Sequence, residues 1–309
     1  MSSLAVMPAD AATQRANQRG ILLMIAAMGC FLANDTFVKL GTALMPSSEI
    51  MALRGVSASL FVFGLILANG MGRQLHRLAQ GPIALRGCIE VMVALSSIVG
   101  LAHVPIGTAT AVGQTAPLIL LALSALVLKE SVGRRRWLAV LAAFAGVVLV
   151  AHPTARGLNL FVFATLLSAS LTAMRDIATH RMAAGIPTLL ATLGTTIIVS
   201  LAGFAGAAVE TWQPLSPAMV LVLLFGGFSL AGGHALVIAA YRGAEVSVVT
   251  PFRYSSIALS VPAGLAVFGD RPDLWAGTGM ALIAATGLYT AQHEFRRRRA
   301  IEAALAEGR

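Results

Sequence analysis

The sequence predicts an all-α integral membrane protein of ten transmembrane helices, and three observations carry that prediction. Apolar stretches of about 20 residues, the length of helix that crosses a bilayer core, follow one another almost from end to end. Charged residues make up 11% of the 309 and hydrophobic ones 57%, which leaves too little polar chain for a soluble domain. Basic residues collect in alternate connections, as they do in multi-pass proteins. The stretches must be helical, because in lipid every backbone amide needs an internal partner, and barrel strands would be shorter and would alternate in polarity.

The segments follow in order. The first, 21–43, starts behind Arg15 and Arg19 and stops at Met45-Pro46-Ser47-Ser48. The second, 49–70, and the third, 82–103, flank a connection that carries Arg73 and Arg77. His103-Val104-Pro105 separates the third from the fourth, 106–128, and the basic run through Lys129, Arg134, Arg135 and Arg136 leads into the fifth, 136–151. Arg156 stands before the sixth, 158–178, and Arg181 before the seventh, 187–208. Trp212 precedes the eighth, 217–240, Arg242 the ninth, 246–268, and Arg271 the tenth, 273–292, which ends at the run Arg296 to Arg299.

An N-terminus placed inside leaves Arg156 and Arg271 outside and puts the other loop and tail cations on the cytoplasmic face. That satisfies the positive-inside rule and, with an even number of spans, returns the C-terminus to the cytoplasm. The expected location is the bacterial inner (plasma) membrane. The net charge of +9 thus reads as topology, and no nucleic-acid partner is expected, since each arginine run abuts a membrane segment. Trp137, Trp212 and Trp275 all fall near segment ends, where an amphipathic indole is favoured. The run after Arg19 resembles a signal peptide at its start, but it continues too far, with no small-residue cleavage pattern before Asp35. Glu294 to Arg309 reads as a short basic amphipathic helix on the inner surface.

Cys30 and Cys88 lie inside apolar segments and read as small buried packers, without metal-ligand spacing around them. The sequence holds no Gly-rich phosphate loop, nucleophile elbow or His-Glu-x-x-His pattern. No enzyme activity, cofactor or metal is expected.

The chain also looks duplicated. Lys129-Glu130 ends the fourth segment shortly before Trp137, and Gly269-Asp270 ends the ninth shortly before Trp275. In each case an acidic residue and a short turn lead into a Trp-led helix rich in Ala and Gly. Five spans per unit is an odd number, so the second copy is inverted relative to the first, the plan of many secondary transporters. The expected organisation is a cytoplasmic tail at 1–19, a first five-helix repeat at 20–154, a second at 155–292 and a basic cytoplasmic tail at 293–309.

Asn34-Asp35-Thr36-Phe37-Val38-Lys39, Leu53-Arg54-Gly55, Ala116-Pro117-Leu118 and Leu128 to Trp137 resemble the first repeat of the EamA-type branch of the drug/metabolite transporter superfamily. Ala240-Tyr241-Arg242, Thr250 to Ser256 and Phe268 to Asp273 resemble its second repeat. The resemblance spans roughly 20–292. It implies two inverted five-helix repeats around a central cavity and passage of a metabolite across an inner membrane. The substrate class it implies is that of amino acids, S-adenosylmethionine, riboflavin and similar amphipathic molecules.

Charges within a bilayer normally face protein or water and often mark a pathway. Asp35 and Lys39 are one helical turn apart and near Arg54; they read either as a structural ion pair or as a solute or proton site. Arg86 and Glu90 repeat that spacing. Arg86 sits close enough to the interface to snorkel, which leaves Glu90 short of a partner and makes it the leading candidate for binding or proton handling. His234, among glycines, is either an interhelical hydrogen-bond donor or a site residue. Arg253 needs a carboxylate, such as Glu90, or an anionic solute; Tyr254 beside it and Gln114 in the fourth segment would complete a substrate-binding lining of Glu90, Gln114, His234, Arg253 and Tyr254. Arg175, Asp176 and His180 read as interface anchors. Pro117, Pro251 and Pro262 kink helices toward a cavity or merely fit the packing.

The leading function class is a secondary transporter of a small organic metabolite, working by alternating access. Its expected partners are that metabolite, the lipid bilayer and, as the candidate coupling ion, the proton, with a homodimer as the candidate assembly. The alternative is a membrane-embedded scaffold or enzyme, for which sizeable loops or a clustered catalytic constellation should be visible.

Overall fold

The computed structural model describes residues 8–127, 133–151, 159–180, 186–242 and 244–307, and it is all helical among them. Helix α1 runs over Pro8–Thr42, α2 over Ser47–Ala68 and α3 over Gly81–His103, with a 3₁₀ helix at Gly72–Ala79 between the last two. Next come α4 (Ile106–Gly113), α5 (Ala116–Val127), α6 (Arg134–Val150), α7 (Phe161–His180), α8 (Thr188–Gly206) and α9 (Pro217–Tyr241). The chain closes with α10 (Val246–Val249), a 3₁₀ turn at Thr250–Tyr254, α11 (Ser255–Phe268) and α12 (Leu274–Glu307). Lys129, Glu130, Arg156, Arg181 and Arg309 lie outside the described residues, as do the side chains of Arg296 to Arg299.

Proline sets many of the helix starts. It immediately precedes α2 (Pro46), α4 (Pro105) and α8 (Pro187), and it sits in the first turn of α3 and α9, positions where a missing N–H costs nothing. Ser216 caps α9 by accepting from the Met219 N–H at 3.3 Å. Gly269, with φ 69°, ends α11 in the left-handed conformation that glycine adopts without strain.

Seven helical stretches among the described residues are long and apolar enough to cross a membrane: Thr13–Thr42, Ser47–Ala68, Gly81–His103, Ile106–Leu123, Phe161–Thr179, Thr188–Gly206 and Pro217–Tyr241. Leu22, Leu60, Leu138, Leu141, Val148 and Leu201 are each more than 60% exposed on the outer faces of these helices and of α6. An apolar exterior of this extent is stable against lipid tails and would aggregate in water. The protein is therefore a multi-pass membrane protein. The other three expected segments are also helical, with differences: α6 carries a shorter apolar stretch, Trp137–Val150, 246–268 is interrupted at Thr250–Tyr254, and 273–292 runs on as the first part of α12. The 106–128 segment is broken too, between Gly113 and Ala116. Both breaks adjoin a proline, Pro117 or Pro251, which removes a backbone donor and disfavours helix at the preceding residue. Cys88 corrects the expectation of two buried thiols: it is exposed, and Cys30 is half-buried.

The main packing partners lie far apart in the chain. Helix α1 packs on α9, α2 on α8 and α9, α3 on α7 and α8, α6 on α12, and α4 on α11. These contacts are close because small residues occupy them. A Cβ on Gly227 would lie 2.8 Å from the Arg54 carbonyl oxygen, and one on Gly279 would lie 2.5 Å from that of Gly146. In lipid, where burying apolar area drives little, such backbone proximity supplies much of the helix attraction. One end of the bundle is tied by loop contacts: the Ser48 N–H donates to Glu210 at 2.8 Å, Trp212 Nε1 to Ser48 Oγ at 2.9 Å, and Asn159 to the His103 carbonyl at 3.1 Å. The opposite end carries the 3₁₀ helix at Gly72–Ala79, the end of α7 at His180 and the start of α8 at Thr188.

Candidate functional site

Polar side chains that apolar helices cannot expose to lipid converge inside the bundle. They line a cavity of about 450 Å³, walled by α1, α3, α7 and α9 and by the breaks at α4–α5 and α10–α11. Asp35, Glu90, Gln114, His234 and Arg253 all reach it. The cavity extends toward Arg86, Asp176 and Thr188, at the end where α7 finishes and α8 begins.

Glu90 has a partner there that its own helix could not supply. Because α3 packs on α7, Arg175 Nη1 reaches Glu90 Oε2 at 2.9 Å, and the same guanidinium holds Asp176 Oδ1 at 2.7 Å. Arg175 and Asp176 are thus cavity residues and not the interface anchors expected from their place near a helix end. The signal that could have found Arg175 was Glu90 itself, a carboxylate with no cation on its own helix once Arg86 turns elsewhere. Arg86 does not snorkel: its Nε donates to Thr179 Oγ1 at 3.2 Å, and its Nη1 to Thr195 Oγ1 and to the Ala191 carbonyl. Behind Glu90, a chamber of about 40 Å³ is bounded by Arg54, Arg86, Thr192, Thr195 and His234.

Asp35 is reached through an amide. Arg54 Nη1 donates to Asn34 Oδ1 at 3.1 Å, and Asn34 Nδ2 donates to Asp35 Oδ1 at 2.9 Å. Lys39 does not take part, which corrects the expected Asp35–Lys39 pair. Its Nζ donates to the carbonyls of Leu101 at 3.2 Å and Val104 at 2.5 Å and lies 5.2 Å from the centre of the Phe268 ring. The physical reason is that the last carbonyls of a helix lack intrahelical donors and attract cations, while Asp35 is already served by Asn34. Asp270 stands nearby and accepts from the Ile106 N–H at 3.1 Å, which caps α4. A second cavity, about 420 Å³, opens at this end among Val104, Asn159, Asp270 and Asp273.

His234 Nδ1 lies 2.9 Å from the Leu230 carbonyl, and its ring meets Phe31 edge-on at 5.1 Å. Gln114 Nε2 donates to Ser256 Oγ at 2.7 Å, which joins the two helix breaks across the cavity. Arg253 lines the cavity but does not face Glu90 as a partner, and its Nε is buried without a hydrogen bond among the described residues. Tyr254 is absent from this lining: it is 8% exposed and packs so closely on α12 that a side chain on Gly287 would overlap its ring. Among the described residues no group of three or more His, Cys, Asp or Glu side chains is placed to hold a metal ion.

Residues 18–151 match the EamA-like transporter family. A riboflavin transporter of Rhizobium johnstonii (strain DSM 114642 / LMG 32736 / 3841) is 32% identical over 207 residues, covering 65% of this chain and 67% of that protein. An S-adenosylmethionine uptake transporter of Rickettsia prowazekii (strain Madrid E) is 25% identical over 274 residues, covering 87% of this chain and 91% of that one. A solved crystal structure shares the fold, with a TM-score of 0.65 at 18% identity over 90% of this chain and 98% of that chain.

Proposed function

Because the chain belongs to the EamA-like transporter family, we propose that it is a secondary transporter that passes a small amphipathic organic solute through the central cavity by alternating access. The observation that carries this reading is the wall of that cavity. Charged side chains from helices of both halves meet there, in a space within the range of small-molecule sites. Glu90, Gln114, His234 and Arg253 are the proposed solute contacts, joined by Arg175; Glu90 and His234 are the groups to test for a coupled proton. Riboflavin and S-adenosylmethionine, the solutes in the relatives' names, enter the first screen as comparison solutes beside organic acids and amides of similar size.

Alternating access needs two units that move against each other, and the packing supports reading the chain as ten spans in two inverted five-helix repeats. Exchanging α1 with α7, α2 with α8, α3 with α9 and α6 with α12 turns the α1–α9 contact into α7–α3. It turns α2–α9 into α8–α3, and it leaves α2–α8 and α6–α12 unchanged. The two broken helices correspond under the same exchange, and discontinuous helices at a repeat interface are where such carriers bind their solutes. We assign both termini to the cytoplasm of an inner membrane from the loop arginines. In that orientation the 450 Å³ cavity faces inward, and Lys39 and Asp270 close the outward side.

The orientation predicts labelling. In a background lacking Cys30 and Cys88, a cysteine at Val209, which is 87% exposed, should react with an impermeant maleimide from the periplasmic side, and one at Arg135 should not. The reverse pattern would overturn the assignment. Transport is tested in proteoliposomes by counterflow, in which an internal unlabelled solute drives entry of the labelled one. Candidate metabolites should include one that exchanges at least several-fold faster than through empty liposomes. Failure of every solute that binds the purified protein would favour the scaffold reading.

A further inference from the structure

Charge at the cavity does not balance. Four guanidinium groups, Arg54, Arg86, Arg175 and Arg253, line it and the small chamber behind it, against three carboxylates, Asp35, Glu90 and Asp176. Each carboxylate already accepts: Asp35 from Asn34, Glu90 and Asp176 from Arg175. Arg54 is spoken for by Asn34, and Arg86 by threonine and carbonyl oxygens. Arg253 remains. It makes no ion pair or side-chain hydrogen bond among the described residues, its Nε is buried, and it sits at the break between α10 and α11, one helical turn from Ser256 on the cavity wall. A guanidinium cannot discharge, and in a partly dry space it is costly unless an anion meets it.

We propose that the solute of the transport cycle, on which reading this inference rests, is an organic monocarboxylate of net charge −1 whose carboxylate is held by Arg253. Three considerations select that class. The surplus is a single positive charge, four guanidinium groups less three carboxylates; a phosphate monoester carries about −1.5 to −2 and overshoots it. The planar guanidinium fork matches a carboxylate in a two-bond geometry. An ammonium on the solute would need a carboxylate of its own, and all three at the cavity are engaged, so an amino-acid zwitterion brings a cation that the site does not satisfy. Glu90, the group expected from the sequence to meet such a cation, is held by Arg175 at 2.9 Å.

The test compares charge states on a constant body, using the purified full-length protein in micelles and isothermal titration. The probes are 3-phenylpropionate, its amide 3-phenylpropanamide and the zwitterion phenylalanine, with hexanoate, hexanamide and norleucine as an aliphatic set. In at least one set the acid should bind about tenfold or more tightly than both its amide and its amino acid, as expected for loss of a charge-assisted bond. Arg253→Gln should bring the acid down to the level of the amide, and Arg253→Lys should keep part of the preference. Equal binding of acid and amide, no binding by either acid to folded protein, or a preference that survives Arg253→Gln would each overturn the inference. If Arg253→Gln fails to fold, the wild-type ratio decides the charge class and Arg253→Lys decides the residue: an acid preference left at its full wild-type size in Arg253→Lys would overturn the assignment to Arg253. Counterflow separates this inference from the transport reading: an acid that binds without exchanging counts against transport alone, and an amide that exchanges as fast as its acid counts against the carboxylate alone.

Discussion

Arg175→Leu is expected to remove most of the folded protein from the membrane. The change strands the Glu90 carboxylate, now held at 2.9 Å, in a cavity where the two side chains are 24% and 17% exposed. Breaking one side of a fully buried pair costs about 3–5 kcal/mol. With that much residual exposure the cost falls to about 2–3 kcal/mol, still a large share of the roughly 5–15 kcal/mol that holds a typical protein folded. Asp176 also loses its partner, but at 36% exposure it can turn to water. Removing both charges with Glu90→Gln and Arg175→Gln should restore most of the yield and the melting temperature in detergent, since neither variant residue then carries an uncompensated charge. Equal losses in the single and double variants would show that the pair does not hold α3 to α7.

In the proposed orientation and transport cycle, Lys39→Met is expected to open the outward side. Its ammonium is the tie between α1 and the end of α3, through the carbonyls of Leu101 and Val104, and it leans on Phe268 of α11. Hydrogen bonds to charged groups are worth about 1.5–3 kcal/mol each. Losing a net 3 kcal/mol or so from the outward-closed state alone shifts its ratio to the outward-open state by about a hundredfold. A cysteine at Thr110, which lines the cavity, should then react from the periplasmic side many times faster than in the Lys39 background, and solute accumulation should collapse. An unchanged labelling rate would mean that Lys39 caps α3 without closing anything.

Much of the arrangement was legible in the sequence, for a physical reason. An apolar helix can place Asp35, Glu90, His234 or Arg253 only toward protein or water, so polar residues inside apolar segments mark interior faces, and these four do reach one cavity. Partnership was not legible. Spacing of four residues put Lys39 on the face of Asp35, yet an unsatisfied helix end on α3 took the lysine. The cation that serves Glu90 comes from 85 residues further along, a distance over which local pattern carries no information. Tyr254 illustrates the same limit: it adjoins Arg253 in the chain, but the 3₁₀ turn at Thr250–Tyr254 sends the two side chains to different surroundings.

The long-range pairing of helices also has a consequence for how the protein is made. Asn17 at the start of α1 bonds Glu245 beyond α9, 228 residues later, and a ribosome adding about 5–20 residues per second needs roughly 11–46 s to supply that partner. Until then α1 and α2 rest in lipid without α9, the helix that packs on both, and the polar faces of Asp35 and Arg54 stay uncovered. During synthesis these early helices are the part of the chain most open to membrane chaperones and quality-control proteases, and translation slowed within α7–α9 should raise turnover of the nascent protein more than the same delay after Tyr241.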